Sequence, residues 1–205
     1  MMMAGLRESK KEQTRQRISE VALRLFDERG YDAVTVNEIA EAAGVAKVTL
    51  FNYFPGKDCL VLDAVKDDTA AVVAGRAAGQ TPLGALRAHY RGMAARGTGE
   101  IDVEGLLTRV RVISSSPALL AGVYQANMGQ RYELAAALAE AGAGPAATLM
   151  AAQITAAITT LQEAFFQRLS TGVPLEEAGR LLDEEVELAF DLLEHGFSSI
   201  EAVEL

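Results

Sequence analysis

One stretch of the chain, residues 35–57, concentrates side chains that can donate hydrogen bonds. It reads TVNEIAEAAGVAKVTLFNYFPGK, with ammonium groups at Lys47 and Lys57 and hydroxyl groups at Thr49 and Tyr53. Ammonium and hydroxyl groups bind phosphate oxygens, and a lysine can also donate to the N7 and O6 acceptors of guanine. These residue types favour recognition of an acceptor-rich polyanion.

The same stretch has the pattern of two short helices joined by a glycine turn. Thr35 followed by Glu38 has the signature of a capping box, which predicts the start of a helix. Gly44 ends that helix, and the next helix is predicted over about residues 46–53. This is the layout of a helix-turn-helix DNA reader, whose second helix enters the major groove.

Roles for single residues follow if that second helix enters the groove with Leu50 and Phe54 turned inward. Lys47 can donate to guanine, and Val48 can pack on a thymine methyl group. The helix N-terminus at Thr35 offers free N–H groups and a favourable dipole to a phosphate. Further phosphate contacts suit a set of donors along and after the helix: Thr49, Tyr53 and Lys57.

A preceding helix must hold this pair in place, and the sequence predicts one from about Lys10 to Arg29, closed by Gly30. Its apolar residues recur at helical spacing on one face: Ile18, Val21, Ala22, Leu25 and Phe26. Three helices of this kind form a compact unit. We therefore predict a DNA-binding domain over residues 1–57 and a second domain over residues 58–205.

The net charge of −9 is unevenly distributed along the 205 residues. Residues 1–57 contain nine Lys/Arg and eight Asp/Glu, whereas residues 58–205 contain ten and twenty. The acidity therefore belongs to the C-terminal part, and it does not oppose DNA binding by the N-terminal part.

An ordered set of residues runs through the first three predicted helices and into the next: Arg17, Ile18, Ala22, Leu25, Phe26, Gly30, Tyr31, Thr35, Val36, Ile39, Ala40, Ala43, Gly44, Val45, Thr49, Leu50, Tyr53, Phe54, Lys57 and Leu60. With this set in register over about fifty residues, the sequence resembles the TetR family of bacterial transcriptional regulators. The resemblance implies a homodimer whose two helix-turn-helix units bind a palindromic operator. It also implies a C-terminal domain that binds a small ligand and thereby lowers operator affinity.

Carried over residue by residue, the resemblance assigns two sets of DNA contacts. Its phosphate contacts fall on Thr35, Thr49, Tyr53 and Lys57. Its base-reading positions fall on Asn37, Lys47 and Val48, with Phe51 and Asn52 alongside. Two positions depart from the family pattern: Ala46, where serine is common, lacks a capping side chain, and Phe51, at a usual tyrosine position, lacks a hydroxyl group.

The whole chain is predicted to be all-α, with about nine helices, the fourth of them a longer helix that begins near Lys57. The last two long helices carry apolar residues on more than one side. In the first of them, one stripe contains Met150, Ile154, Ile158, Leu161, Phe165 and Leu169. In the second, one stripe contains Leu175, Leu182, Ala189, Phe190, Leu193 and Phe197, and another contains Leu181, Leu188 and Leu192. We expect these two helices to form a four-helix interface with a second copy of the chain.

A second set of residues could line a ligand cavity among the middle helices. Largely apolar walls with a few polar groups are typical of small-molecule sites. The candidates are Leu86, His89, Tyr90, Met93, Leu106, Val110, Tyr124, Asn127, Met128 and Phe165. Each of them could equally fill an ordinary helical core.

Other classes of function have little support. The two histidines, His89 and His195, fall on separate predicted helices, so we expect no catalytic residues, no metal site and no cofactor. Cys59 is alone, which excludes an intramolecular disulfide. Residues 141–162 carry no charge, but Pro145 and several Gln and Thr residues favour a buried helix over a membrane span. We expect a cytoplasmic protein without a membrane partner.

One alternative remains open at this stage. The departures at Ala46 and Phe51 are compatible with a helical ligand-binding or scaffolding protein whose specific DNA binding is weak or lost. The sequence also leaves open the effector, the operator, the regulated genes, and whether the outcome is repression or activation.

Overall fold

The structure, a computed structural model, describes residues 2–65, 68–96 and 102–196. Every regular element within those ranges is helical, which confirms the predicted all-α fold. The α-helices are α1 (Met2–Arg29), α2 (Val36–Ala42), α3 (Lys47–Tyr53), α4 (Cys59–Leu62), α5 (Thr69–Ala74), α6 (Pro82–Arg96), α7 (Val103–Ser114), α8 (Pro117–Leu138), α9 (Ala147–Ser170) and α10 (Leu175–His195).

The region after the helix-turn-helix differs from the prediction of one long helix beginning near Lys57. Helix α4 has only four residues and continues as a 3₁₀ turn over Asp63–Val65, and α5 begins at Thr69. The apolar pattern continues through this region, so its periodicity could not indicate where the helix would end.

The described residues within 1–66 and 104–124 form one compact unit. Its core collects apolar side chains from α1 to α4 and from α7 and α8, including Ile18, Phe26, Ile39, Leu50, Phe54, Leu60, Val112 and Leu119. Arg111 on α7 also bonds Asp27 on α1, with Nε–Oδ1 and Nη2–Oδ2 distances of 2.8 Å. This unit contains the predicted 1–57 region and additionally α4 and parts of α7 and α8.

The described residues within 67–103 and 125–205 form a second unit. Its core contains Val73, Leu86, Tyr90, Leu134, Leu138, Ile154, Ile158, Val186 and Phe190. The rings of Tyr90 and Phe190 lie 6.2 Å apart between centroids, which joins α6 to α10. Most of the first predicted stripe of α10 packs here, whereas Phe197 lies outside the described residues.

By length and composition alone, one helical stretch within Pro117–Ser170 could cross a membrane. Two turns, Ala139–Ala143 and Gly144–Ala146, separate α8 from α9 within that stretch. Helix α9 buries one face in the second core through residues that include Ile154, Ile158 and Leu161. Part of the charge-free segment therefore packs into the second core through one face of α9.

Candidate nucleic-acid interface

The start of α2 is a capping box, as predicted. The Glu38 backbone N–H donates to Thr35 Oγ1 at 3.3 Å, and the Thr35 N–H donates to Glu38 Oε2 at 2.8 Å. The Thr35 hydroxyl also donates to Oε2 at 2.7 Å, and Arg29 Nη2 lies 2.7 Å from Oε1. These bonds, led by the one from the Thr35 N–H, lower the pKa of the Glu38 carboxyl to about 2.

The cap has a consequence for the phosphate contact predicted at Thr35. Both Thr35 donors are bonded to the Glu38 carboxylate, so a phosphate at this end of α2 would lie beside a negative charge. The geometry explains Thr35 as a capping residue, and its contact with DNA stays a prediction.

The turn between α2 and α3 depends on Gly44, whose φ is +63°. Residues with a Cβ atom rarely adopt this conformation, which explains glycine at this position. The Val45 N–H donates to the Ala40 carbonyl at 2.9 Å, and this bond closes the turn. Helix α3 then follows Ala46, which provides no side-chain cap, as the sequence indicated.

Helix α3 has an inner and an outer face. Leu50 and the following Phe54 are buried in the first core. On the outer side, Val48 is 72% exposed and Phe51 is 41% exposed, although both are apolar. Four predicted DNA-contact residues accompany them: Lys47 and Asn52 are exposed, and Thr49 and Tyr53 are half-buried. Asn37 on α2 is also exposed.

Lys57 makes an inward contact that sequence reasoning did not predict. Its Nζ donates to the Tyr31 carbonyl at 2.6 Å and lies 4.2 Å from the centroid of the Tyr31 ring and 5.5 Å from that of Phe26. Burial holds the pKa of this ammonium below its ordinary value, against the opposing influence of Asp32 and Glu38. Lys57 therefore connects the segment that follows α3 with Tyr31 in the segment that follows α1.

Arg15 on α1 makes three contacts within the first unit. Its Nη1 donates to the Tyr53 carbonyl at 2.9 Å, and its Nη2 lies 2.6 Å from Asp63 Oδ2. The guanidinium also lies over the Phe54 ring, 4.5 Å from its centroid. Its partners lie about forty to fifty residues away in the chain, so no local spacing could have revealed them.

The residues predicted to bind a ligand occupy several environments. Leu86 and Tyr90 are buried in the second core, and the His89 ring meets the Tyr90 ring edge-on at 5.3 Å. Met93, Tyr124 and Met128 are exposed, whereas Leu106, Val110, Asn127 and Phe165 are half-buried. Leu106, Val110 and Tyr124 belong to the first unit and the other members of the set to the second.

Among the described residues, Asp191, Glu194 and His195 place donor atoms within 4.8 Å of one another on α10. Arg87 already pairs with both carboxylates, at 2.7 Å from Asp191 Oδ1 and 3.3 Å from Glu194 Oε2. Helix packing accounts for this cluster.

Comparison with known proteins agrees with this geometry. The family model for the N-terminal region of bacterial regulatory proteins of the tetR family matches residues 18–64, from α1 into the turn after α4. TcmR, an HTH-type transcriptional regulator from Streptomyces glaucescens, is 36% identical over 124 residues, which cover 57% of this chain and 55% of TcmR. The matching region thus spans about half the length of that relative.

Two solved structures share the fold. NalD, the secondary repressor of the MexAB-OprM multidrug efflux pump in Pseudomonas aeruginosa, matches with a TM-score of 0.56 and 18% identity, over 91% of this chain and 97% of NalD. The SmeT–triclosan complex matches with a TM-score of 0.55 and 16% identity, over 86% and 91% of the two chains. The family model and the related regulator agree that residues 18–64 of this chain belong to the tetR family of bacterial regulatory proteins, and the two solved structures share its helical fold.

Proposed function

We propose that this chain is a dimeric DNA-binding transcriptional regulator, a repressor that leaves a palindromic operator when a small molecule binds. The observation that carries the proposal is the outer face of α3, where the apolar Val48 and Phe51 are exposed beside Lys47 and Asn52. The core of the first unit does not use these side chains, and a major groove offers partners to each of them.

We assign each DNA contact from the hydrogen-bonding or apolar character of the side chain. Lys47 donates to guanine, Val48 packs on a thymine methyl group, and Phe51, Asn52 and Asn37 lie alongside. Phosphate contacts fix the register of the helix and come from the half-buried donors and the helix-two cap: Thr49, Tyr53, Lys57 and Thr35.

The charge distribution supports this placement of DNA. Lys10, Lys11 and Arg17 on α1 are exposed cations in the same unit as α3. The twenty acidic residues of the region 58–205 belong largely to other elements. Association with a polyanion is therefore favoured at the N-terminal unit and opposed elsewhere.

The proposed dimer uses α9 and α10. Four described members of the first stripe of α10, Leu182, Ala189, Phe190 and Leu193, pack in the core of their own unit, whereas Leu188 in the other stripe is 57% exposed and Leu181 and Leu192 are half-buried. An apolar stripe outside the core of its own chain is suited to packing against the same stripe of a second copy.

The proposed effector is a small, largely apolar molecule. The SmeT structure contains triclosan, and NalD is a repressor, so proteins of the same fold support both a ligand and a repressive outcome. We assign the ligand site to the members of the predicted set that lie in the second unit outside its buried core: His89, Met93, Asn127, Met128 and Phe165. Leu86 and Tyr90 are buried in the core of the second unit.

Selection of random DNA duplexes by the purified protein tests the DNA-binding part of the proposal. We expect an enriched palindrome, and we expect Lys47→Ala to lose discrimination at one base pair in each half-site. Arg180→Ala is a matched control, because it removes one exposed cation from the second unit. Salt-labile binding without sequence preference would instead support the alternative of a helical ligand-binding or scaffolding protein.

The regulatory part needs a separate titration. Triclosan is a first probe, added to the complex of the protein with its selected operator while fluorescence anisotropy is followed. Weaker operator binding supports release by an apolar ligand. Unchanged operator affinity at a concentration that saturates binding, measured by calorimetry, contradicts the release mechanism.

A further inference from the structure

We infer that Arg15 is a positioning residue that holds the C-terminal end of α3 in the orientation that binds DNA. This inference rests on the proposed function. It assigns no DNA contact to Arg15, whose guanidinium is directed at the protein's own backbone and at Asp63.

Three contacts around one guanidinium carry the inference. Arg15 Nη1 donates to the Tyr53 carbonyl at 2.9 Å, and Nη2 lies 2.6 Å from Asp63 Oδ2. The same group lies 4.5 Å from the centroid of the buried Phe54 ring. Arg15 thus connects α1, the last residue of α3 and the 3₁₀ turn after α4, all within the first unit.

Arginine suits this position better than lysine. The planar guanidinium presents its N–H groups in a fixed fork, so two of them reach two acceptors while the plane covers an aromatic ring. A positive charge at the C-terminal end of a helix also interacts favourably with the helix dipole and the unsatisfied carbonyl groups there. A lysine would supply a charge but could not reproduce both directed contacts.

Helix α3 is short, so its orientation depends on the contacts at its two ends, and the buried Phe54 shares the C-terminal end with Arg15. The helix contains only seven residues, and Ala46 gives its N-terminus no side-chain cap. Leu50 anchors its middle, and the Arg15 contacts hold its C-terminal end. The half-buried Tyr53 is its last residue, so an unanchored end would misplace this proposed phosphate contact.

A double-mutant cycle on the full chain tests the inference, using Arg15→Ala, Asp63→Asn and the double variant. Binding to the selected operator is measured by fluorescence anisotropy over a range of salt concentrations. Arg24→Ala is the matched control: it removes the same charge from the same helix. It lies nine residues, or two and a half turns, from Arg15, on the opposite and exposed side of α1.

We expect Arg15→Ala and Asp63→Asn each to weaken operator binding by about tenfold, the effect of one lost charge-assisted hydrogen bond. The double variant should bind about as weakly as either single variant, because both break one linked set of contacts. The salt dependence should be unchanged, since no phosphate contact is removed. Arg24→Ala should bind like the natural chain.

Two outcomes would overturn the inference. The first concerns the salt slope, which is the slope of the logarithm of the binding constant against the logarithm of the salt concentration. If Arg15→Ala lowers the magnitude of this slope by about one while Asp63→Asn binds normally or more tightly, Arg15 contacts a phosphate directly. If the variants unfold at lower temperature but bind the operator normally well below that temperature, the contacts serve stability alone.

Amide hydrogen exchange provides a readout that does not involve DNA. The Phe54 N–H donates to the Leu50 carbonyl at 2.9 Å and reports on the end of α3. Faster exchange there in Asp63→Asn, with α2 unchanged, supports the inference even in a variant that binds poorly. Unchanged exchange opposes it. A natural chain that binds no duplex contradicts the proposed function, and the exchange result then still decides whether Arg15 anchors α3.

Discussion

The outward residues of α3 combine apolar and polar chemistry, and the two kinds should affect operator recognition differently. An exposed valine has no hydrogen bond to offer, so its contribution to DNA binding must come from apolar contact. A lysine can contribute through charge, through a base contact, or through both. Experiments that remove the apolar contact, the charge or the base contact one at a time can separate their contributions to operator binding.

Val48 is predicted to recognise a thymine methyl group. Replacing thymine by uracil removes only that methyl, so the natural chain should bind the altered operator about fourfold more weakly, as expected for about 0.8 kcal/mol of lost apolar contact. Val48→Ala should show little of this thymine–uracil difference, whereas Lys47→Ala should retain it. Equal binding of thymine and uracil at every operator position by the natural chain would contradict the assignment.

Lys57 combines an internal contact with a proposed phosphate contact. An ammonium has three donors, so the one bonded to Tyr31 leaves others for DNA. Lys57→Ala should weaken binding about equally for all sequences, lower the salt slope by about one and also lower the melting temperature. The exposed Lys47→Ala should change base discrimination by about 1–3 kcal/mol without that loss of stability. An unchanged salt slope for Lys57→Ala would restrict Lys57 to its structural contact.

The helix-turn-helix was predictable where its signals act over a few residues. The Thr35–Glu38 cap, the Gly44 turn, the missing cap at Ala46 and the inward Leu50 all correspond to the predicted arrangement. Each of these depends on backbone geometry within one or two helical turns.

The anchors around these helices were not predictable, because their partners are distant in sequence. Arg15 and Asp63 are 48 residues apart, and Lys57 and Tyr31 are 26 apart. The shortness of α4 was missed for a related reason. The turn after it presents Asp63 to Arg15, and a continuous apolar pattern gives no sign of that long-range pairing.

The cap of α2 makes a prediction about pH. Because the folded pKa of Glu38 is lowered from 4.5 to about 2, its contribution to stability is present above about pH 4.5 and is lost as the pH falls toward 2. Glu38→Gln removes the ionisable group. The stability difference between the two proteins, measured by urea unfolding, should therefore be largest near neutral pH and shrink between pH 4.5 and pH 3. A difference that is constant over this range would exclude ionised Glu38 as its source.

The pairing of α6 with α10 depends on a set of ion pairs. Arg87, with its side chain 21% exposed, pairs with Glu187, Asp191 and Glu194 on α10. Its pKa lies above the ordinary value, chiefly through the hydrogen bond to Glu187. Because several partners share one partly buried guanidinium, these contacts should matter more than a single exposed pair.

Arg87→Met should reduce the free energy of unfolding by about 1–2 kcal/mol, as measured by urea denaturation. Arg180→Met is the matched control, since Arg180 is 59% exposed and pairs with Glu184 one turn away on the same helix. Its loss should cost about 0.5 kcal/mol or less. Similar costs for the two variants would show that the α6–α10 pairs contribute no more than a surface pair.

In the molecule as a whole, the residues proposed to bind DNA and the residues proposed to form the dimer belong to different units. The N-terminal unit contains the helix-turn-helix, whereas the proposed dimer helices belong to the second unit, where most of the acidic residues lie. A palindromic operator requires two helix-turn-helix units on one assembly, because each half-site receives one. DNA affinity should therefore depend on residues of α10 that are proposed to contact no DNA.

Leu188→Glu tests this dependence, because it places a charge in the exposed stripe of α10. The natural chain should sediment at twice its 21.8 kDa mass at micromolar concentration, and the variant at the single-chain mass. Operator binding by the variant should fall by about a hundredfold or more, because linked half-site contacts become independent. Tyr132→Glu is the control: Tyr132 on α8 is similarly exposed, at 60%, and lies outside the proposed interface. A monomeric natural chain, or a Leu188→Glu variant that stays dimeric, would contradict the α10 interface.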